Sequence, residues 1–291
     1  MEIRYDEPMA KHVSWRAGGP VARACFPRDL DDLAAFLASL RHDEPLLVVG
    51  LGSNLLIRDG GFDGTAIFTH GALNALRMEA DGTIYAEAGV ATPKLARFAA
   101  NHNLSGAEFL AGIPGTVGGA LAMNAGCYGD EIWHHVERVV MLNRRGDLIE
   151  RTSADFAIGY RHVGLKRACD ELFVAAWLRF EQGDAEKARA RIRALLEKRI
   201  ARQPLQLPNA GSVFRNPPGD YAARLIEAAG LKGIEIDGAR VSEKHANFIV
   251  NPAGRATAAA IESLIGRIEA EVKERFGVAL KREVRILGAR H

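Results

Sequence analysis

The spacing of apolar and polar residues along the chain predicts alternating helices and strands. Leucine and alanine recur at helical spacing over 30–40 behind Asp29, the expected N-cap, and Thr92 is expected to cap a second helix over 92–101. Short apolar or alternating runs predict strands at 46–49, 55–57, 66–69, 83–88, 136–142, 148–151 and 172–180. Between two of these runs, Asn143-Arg-Arg-Gly146 predicts a β-hairpin turn. The middle of the chain is therefore rich in strands.

The pattern changes after Gly183. Residues 184–202 are basic and amphipathic, and prolines follow at 204 and 208. The apolar face of this predicted helix holds Ile192, Leu195, Leu196 and Ile200. Beyond it we expect helices over 220–230 and 257–276, the second closed by Gly277, and strands over 247–250 and 280–287. We therefore expect a domain boundary near Gly183 and a small C-terminal α+β domain.

Composition and charge are those of an ordinary globular protein. The 291 residues are 48% hydrophobic and 25% charged, which excludes disordered, collagen-like and disulfide-scaffold proteins. A net charge of +2 argues against nucleic-acid binding, including binding through the basic helix at 187–202. Three cysteines without C-x-x-C spacing argue against a disulfide framework, and the histidines have no metal-ligand spacing. With a charged N-terminal segment instead of a signal peptide, a cytoplasmic protein is expected.

Two glycine-rich segments are the strongest chemical signals. The first, Val49-Gly-Leu-Gly-Ser-Asn-Leu-Leu-Ile57, follows a predicted strand, but Leu55 replaces the third glycine of a Rossmann fingerprint. The second spans 106–129 and is uncharged over 109–128, where Pro114 and five glycines argue against a membrane helix. Glycine backbone can approach a flat or charged ligand closely. Together the two segments favour a large, buried, phosphate-bearing cofactor.

Seven segments, taken in order, resemble the UDP-N-acetylenolpyruvoylglucosamine reductase family. They are Arg16-Ala-Gly-Gly-Pro-Val-Ala22, Gly50-Leu-Gly-Ser-Asn-Leu-Leu56, Gly112-Ile-Pro-Gly-Thr-Val-Gly-Gly119 with Met123-Asn-Ala-Gly126, Tyr160-Arg161, Ala210-Gly-Ser-Val-Phe214, Val241-Ser-Glu-Lys-His-Ala-Asn-Phe-Ile-Val-Asn251 and Glu283-Val-Arg285. The resemblance implies an α+β fold: two FAD-binding lobes of the vanillyl-alcohol oxidase (PCMH) type over 1–70 and 71–183, and a substrate-binding domain over 184–291. The stretch between Glu131 and Phe180 is short, as in the shorter branch of the family.

The resemblance also implies the reaction. The family reduces the enolpyruvyl ether of UDP-N-acetylglucosamine enolpyruvate with NADPH, through non-covalently bound FAD, in peptidoglycan precursor synthesis. Hydride adds to the terminal methylene carbon, and the enolate that results takes a proton on the adjacent carbon. The implied catalytic residues are Arg161 and Glu283, which stabilise the enolate, and Ser212, which donates the proton. The implied partners are small molecules, with no nucleic acid, membrane or metal, and a monomer is expected.

The resemblance further implies binding residues. The implied FAD-binding residues are Gly50, Leu51, Gly52, Ser53, Asn54, Leu55, Gly112, Pro114, Gly115, Thr116, Gly118, Gly119, Asn124, Ala125, Gly126 and Ile249. The implied substrate-binding residues are Tyr160, Arg199 and Asn216. Two positions depart from the family pattern: His162 stands where serine is usual, and Asp237 where glycine is usual.

Two other functions stay open. A flavin-dependent oxidase or dehydrogenase of a small hydroxy compound would share the cofactor fold, although Ser212 with Glu283 argues against it. A non-catalytic flavin or UDP-sugar-binding protein would keep the glycine segments and lose Arg161, Ser212 and Glu283. Taken singly, these three residues also fit a solvated arginine, a turn-capping hydroxyl and an exposed ion-pair partner.

Overall fold

The computed structural model describes residues 1–167 and 169–290, which divide into two compact units. Unit 1 comprises residues 1–4, 24–51 and 65–199. Unit 2 comprises residues 5–23, 52–64 and those from 200 onward. The expected division into 1–70, 71–183 and 184–291 stays a prediction.

Helices and strands alternate through most of the described residues. The α-helices are α1 (Leu30–Ser39), α2 (Thr92–Asn101), α3 (Val117–Met123), α4 (Ala185–Arg202), α5 (Ala222–Ala228) and α6 (Ala258–Phe276). The strands are β1 (Glu2–Pro8), β2 (Pro20–Phe26), β3 (Leu46–Val49), β4 (Leu55–Ile57), β5 (Phe62–Phe68), β6 (Leu76–Met78), β7 (Ile84–Glu87), β8 (Leu104–Ser105), β9 (Gly126–Cys127), β10 (Asp130–Glu131), β11 (Val136–Asn143), β12 (Leu148–Arg151), β13 (Phe156–Gly159), β14 (His162–Leu165), β15 (Glu171–Leu178), β16 (Glu181–Gln182), β17 (Glu235–Ile236), β18 (Ala239–Val241), β19 (Ile249–Val250) and β20 (Arg285–Leu287). Short 3-10 turns lie at Met9–Lys11, Glu108–Gly112, Ile132–His134 and Ser153–Asp155. Among the described residues, none of these helices has both the length and the hydropathy to cross a bilayer.

Unit 1 is built on a five-stranded antiparallel sheet of order β12-β11-β15-β7-β6. Both faces of this sheet are buried. On β11, Val139 and Met141 join the core formed with α2 and α3, whereas Val140 and Leu142 join the core formed with α1. The hairpin predicted at 143–146 is confirmed, since β11 and β12 pair directly around it. Strands β3 and β5 pair in parallel within a sheet of order β1-β2-β5-β3.

Unit 2 packs α5 and α6 with the three-stranded sheet β17-β18-β19. Its core includes residues that are distant in sequence. Trp15 is fully buried, and its Nε1 donates a hydrogen bond to the carbonyl oxygen of Ile249 at 2.7 Å. Strands β4 and β20 pair in parallel, with Leu55 opposite Arg285. Stretches near the N-terminus therefore complete the fold of the C-terminal region.

Helix ends show which local predictions were right. Asp29 caps α1, accepting a hydrogen bond from the Asp32 N–H at 2.8 Å, and Gly277 closes α6 in a left-handed conformation, as predicted. The prediction that Thr92 caps α2 is wrong. Ala91 is the N-cap, and Thr92 Oγ1 donates to the carbonyl oxygen of Ile113 at 2.6 Å. The hydroxyl thus anchors the second glycine segment.

The apolar face of α4 is buried for only part of its length. Ile192 is buried with Ala188, and Leu196 packs against the same core. Ile200, at the end of the predicted apolar face, is 52% exposed. The reason is that the core of unit 1 ends before the last turn of this helix.

Candidate active site

Gly50 and the second glycine segment meet within unit 1. A Cβ atom at Gly50 would overlap the side chain of Thr116, so only glycine fits there. Thr116 is buried and caps α3, with its Oγ1 accepting a hydrogen bond from Gly119 N–H at 3.4 Å. A Cβ atom at Gly118 would lie 2.8 Å from Cβ of Ala88. The two segments expected to hold the cofactor are thus packed against each other and against the end of β7.

The second segment also presents bare backbone to solvent. Pro114 and Gly119 are exposed and Gly115 is half-buried. A Cβ atom at Gly119 would meet nothing closer than 3.7 Å, so this glycine leaves open space at the surface instead of filling a contact. Backbone without side chains is the surface that the phosphates or flat ring of a dinucleotide can approach. The residues present therefore fit an FAD.

Gly52 lies in unit 2 and is fixed by a different contact. Its φ is +59°, and a Cβ atom there would overlap the carbonyl oxygen of His12. Its own carbonyl oxygen accepts a hydrogen bond from Ser14 N–H at 3.1 Å. Both its conformation and its surroundings therefore require glycine.

We expect Gly52→Ala to destabilise unit 2 more than a matched glycine substitution does. Gly219 in the same unit has a φ of +74° with open space around it, so Gly219→Ala should cost only the roughly 1–2 kcal/mol of a left-handed L-residue. Gly52→Ala should lose about 1–3 kcal/mol more through overpacking. Urea unfolding of both variants, followed by circular dichroism, measures the difference. Equal losses would mean that the contact with His12 does not constrain this loop.

Arg161 is held against the second glycine segment. It lies in the two-residue turn of the β13–β14 hairpin and has a φ of +54°. Its Nη1 donates to the carbonyl oxygen of Asn124 at 3.2 Å and its Nη2 to that of Gly126 at 2.6 Å. The guanidinium carbon lies 4.9 Å from the centre of the Tyr160 ring. Since the Arg161 side chain is only 16% exposed, it is not a solvated surface arginine.

Left-handed backbone is concentrated around this arginine. Asn124 and Tyr128 have φ values of 42° and 59°, besides the 54° of Arg161. Each such conformation costs a residue other than glycine on the order of 1–2 kcal/mol. Strain of this kind tends to gather at functional sites, where surrounding contacts fix it. The clustering supports this corner of unit 1 as part of a functional site.

Arg199 and Cys127 lie in the same part of unit 1. Burial raises the pKa of the Cys127 thiol to about 11, although the positive charges of the nearby Arg199 and Arg161 act to lower it. Burial also lowers the pKa of the Arg199 guanidinium. Tyr128 ties the segment to α4, because its hydroxyl donates to the carbonyl oxygen of Leu195 at 2.8 Å. Arg161 and Arg199 are therefore brought together near Cys127, beside the two carbonyl oxygens that Arg161 binds.

Ser212 and Glu283 are brought together within unit 2. The Glu283 N–H donates to the carbonyl oxygen of Val213, the residue after Ser212, at 2.8 Å. Asn54 Nδ2 donates to the carbonyl oxygen of Glu283 at 3.2 Å. Both Ser212 and Glu283 are half-buried. The prediction that Glu283 lies on the last strand is wrong, because β20 begins only at Arg285 and the residues before it pair with the Ser212 loop.

Asn247 fixes the Ser212 loop, and the sequence pattern gave no role for it. Its Oδ1 accepts from Phe214 N–H at 3.0 Å, and its Nδ2 donates to the carbonyl oxygen of Phe214 at 2.8 Å. Its carbonyl oxygen accepts from Val213 N–H at 3.0 Å. Because these bonds are made to main-chain groups, they hold the loop whatever side chain stands at position 212. Only its place in a family-like segment could have singled it out.

The remaining candidates make structural contacts. Asn216 is exposed, and its Oδ1 accepts from Ala222 N–H at the start of α5, at 3.1 Å. Ile249 is buried and bonds Trp15 through its carbonyl oxygen. Asp237 has a φ of 44°, which glycine adopts at lower cost, and this explains why glycine is usual there. His162 is exposed at the start of β14. Among the described residues, no group of three or more His, Cys, Asp and Glu side chains is placed to hold a metal ion.

A model of the FAD binding domain matches residues 21–152, which include the two glycine segments, so this is a flavin-binding protein. The profile of the UDP-N-acetylenolpyruvoylglucosamine reductase C-terminal domain matches residues 203–287. The chain belongs to the UDP-N-acetylenolpyruvoylglucosamine reductase family and is an FAD oxidoreductase of peptidoglycan precursor synthesis. The expected family and fold class are thereby confirmed, and the chain length fits the shorter branch.

Curated relatives and a solved structure match over nearly the whole chain. The UDP-N-acetylenolpyruvoylglucosamine reductase of Thiobacillus denitrificans is 56% identical, covering 98% of this chain and 92% of that protein. That of Alkalilimnicola ehrlichii is also 56% identical, covering 99% and 95%. The crystal structure of UDP-N-acetylenolpyruvylglucosamine reductase from Thermus caldophilus is 30% identical over 98% of each chain, with a TM-score of 0.82.

Proposed function

We propose that this enzyme uses NADPH to reduce the enolpyruvyl ether of UDP-N-acetylglucosamine enolpyruvate to UDP-N-acetylmuramate, as a cytoplasmic monomer. The observation that carries the proposal is the backbone hydrogen bond from Glu283 N–H to the carbonyl oxygen of Val213 at 2.8 Å, since it joins the loop that carries Ser212 to the segment that carries Glu283. Neither a non-catalytic binding protein nor a simple hydroxy-compound oxidase needs that pair.

Bound FAD supplies the hydride transfer between nicotinamide and substrate. The residues we propose to hold it are Gly50, Leu51, Gly52, Ser53, Asn54, Leu55, Gly112, Pro114, Gly115, Thr116, Gly118, Gly119, Asn124, Ala125, Gly126 and Ile249. We assign the two FAD-binding lobes to 1–70 and 71–183, and the substrate domain, which includes Ile249, to 184–291. For the UDP-sugar we propose Tyr160, Arg199 and Asn216.

The protein's own groups stabilise charge and deliver a proton. When hydride adds to the terminal methylene carbon, negative charge spreads into the carboxylate as an enolate. Arg161 offers a planar cationic donor to that charge. Glu283 can share in this only as the neutral acid, because a carboxyl group donates a hydrogen bond only when protonated. Ser212 then gives its hydroxyl proton to the adjacent carbon and recovers one from solvent.

Anaerobic titration of the purified holoenzyme tests this function. NADPH should bleach the flavin absorption, and the UDP-sugar should restore it with one UDP-N-acetylmuramate formed per turnover. When oxygen is then admitted to reduced holoenzyme without the sugar, an oxidase would be re-oxidised at a catalytic rate. A binding protein would not be re-oxidised by the sugar at all. Either result would overturn the proposal.

We expect the FAD to be bound without a covalent link. Cys127 is the cysteine within the glycine segments, but burial raises its thiol pKa to about 11 and its Sγ donates to the carbonyl oxygen of Phe109 at 3.1 Å. A protonated, hydrogen-bonded thiol is a poor nucleophile. Acid precipitation should therefore release all the flavin into the supernatant, from the native enzyme and from Cys127→Ser alike. Flavin in the native pellet that Cys127→Ser releases would show a covalent bond.

A further inference from the structure

Glu131 stands beside the backbone that holds Arg161. It is the second residue of β10, which pairs antiparallel with β9 so that Glu131 lies opposite Gly126. A Cβ atom at Gly126 would lie 2.9 Å from Cγ of Glu131. The glutamate side chain therefore passes directly over the glycine whose carbonyl oxygen binds Arg161.

The carboxylate of Glu131 joins two of the candidate residues. Its Oε2 accepts a hydrogen bond from Asn124 Nδ2 at 2.7 Å, and its Oε1 lies 4.0 Å from Nη1 of Arg161. Asn124 in turn receives a hydrogen bond from that same Nη1 through its carbonyl oxygen. Glu131 thus acts on the guanidinium both directly, by charge, and through Asn124.

We propose that Glu131 is a positioning residue that orients the Arg161 guanidinium for the enolate, an inference that rests on the proposed function. Two carbonyl oxygens and one carboxylate fix the plane of the guanidinium. The same carboxylate, 4.0 Å from Nη1, offsets part of the positive charge of Arg161. Glu131 therefore aids the reaction step while weakening the attraction for an anionic UDP-sugar.

These opposite effects give a signature that a purely structural residue lacks. In Glu131→Gln the amide oxygen can still accept from Asn124, but the charge beside Arg161 is lost. The limiting rate of re-oxidation of the reduced holoenzyme by the UDP-sugar should fall about tenfold, equivalent to ~1.4 kcal/mol. The dissociation constant of the sugar, measured by calorimetry on the oxidised holoenzyme, should stay the same or decrease. A rise in that constant together with a slower rate would overturn the proposal.

Asp130→Asn is the matched control. Asp130 precedes Glu131 on the same strand, but its carboxylate hydrogen-bonds to His134 Nδ1 at 2.9 Å and His135 Nε2 at 2.8 Å. Its loss should change the limiting rate by less than about twofold. If both variants lost the same rate, the effect would come from the hairpin as a whole, and Glu131 would have no special role. Should Glu131→Gln fail to fold, Glu131→Asp is the alternative. It keeps the carboxylate but moves it one methylene farther from Arg161, and the same tenfold loss of the limiting rate is expected.

A double variant separates this inference from the proposed function. If Glu131 acts through Arg161, adding Glu131→Gln to Arg161→Lys should slow re-oxidation by less than about twofold further. Fully additive losses would overturn the positioning role. If Arg161→Lys alone left re-oxidation unchanged, the role proposed for Arg161 would fail, and this inference with it. If Arg161→Lys slowed re-oxidation and Glu131→Gln did not, only this inference would fail.

Discussion

Replacing Ser212 by alanine is expected to slow re-oxidation of the reduced holoenzyme by the UDP-sugar by roughly 10²-fold to 10⁴-fold, the effect of losing a general acid. A hydroxyl group is a weak acid, but one held next to the reacting carbon can deliver its proton. The loop should keep its shape, because Val213 and Phe214 are bound to Asn247 and Glu283 through main-chain groups. Bleaching of the flavin by NADPH should therefore continue at close to the normal rate.

Stopped-flow measurement of flavin re-oxidation in Ser212→Ala, at saturating sugar, decides the matter. Ser263→Ala serves as control, since this exposed serine lies on α6 in the same unit. Ser212→Cys should recover part of the lost rate, because a thiol also carries a transferable proton. A loss under about tenfold, or ~1.4 kcal/mol, would remove Ser212 from the catalytic residues.

For Arg161→Lys the expected loss is about 10²-fold to 10³-fold in re-oxidation, with little change in reduction by NADPH. The guanidinium reaches the carbonyl oxygens of Asn124 and Gly126 with two separate nitrogens. A lysine ammonium has a single nitrogen on a flexible stem, so it cannot keep both contacts and also present a planar donor to the enolate.

The two half-reactions of Arg161→Lys should be timed separately. Arg145→Lys is a suitable control: Arg145 lies in the turn between β11 and β12, its side chain is 80% exposed, and it pairs with Asp147. Equal slowing of both half-reactions would mean that Arg161 is structural or that it serves nicotinamide binding.

Local signals in the sequence predicted much of the fold. The N-cap Asp29, the closing glycine Gly277 and the turn at 143–146 act within a few residues of the elements they delimit. For that reason α1, α6 and the β11–β12 hairpin can be predicted without knowing the tertiary structure. The candidate residues of the site came instead from resemblance to a family, and their roles stay proposals.

Tertiary contacts explain what was missed. Thr92 resembles a cap, but it finds its acceptor at Ile113, beyond the end of its own helix. Residues 280–284 have a strand-like pattern, yet they pair with the Ser212 loop and β20 is short. The sequence next to Glu131 and Asn247 gives no sign of their roles, because each acts through hydrogen-bond partners that only the fold brings near.

The discontinuous make-up of unit 2 has a consequence for synthesis on the ribosome. Trp15 and its acceptor Ile249 are 234 residues apart, and Arg58 and Glu262, which pair at 2.8 Å, are 204 apart. At a rate of chain synthesis of about 5–20 residues per second, Ile249 is made on the order of 10–50 s after Trp15. During that interval the N-terminal stretches of unit 2 have no native core to pack into. The indole of Trp15, which is fully buried in the folded protein, stays accessible to chaperones. Residues 5–23 can thus complete their native contacts in unit 2 only after its C-terminal part has been made.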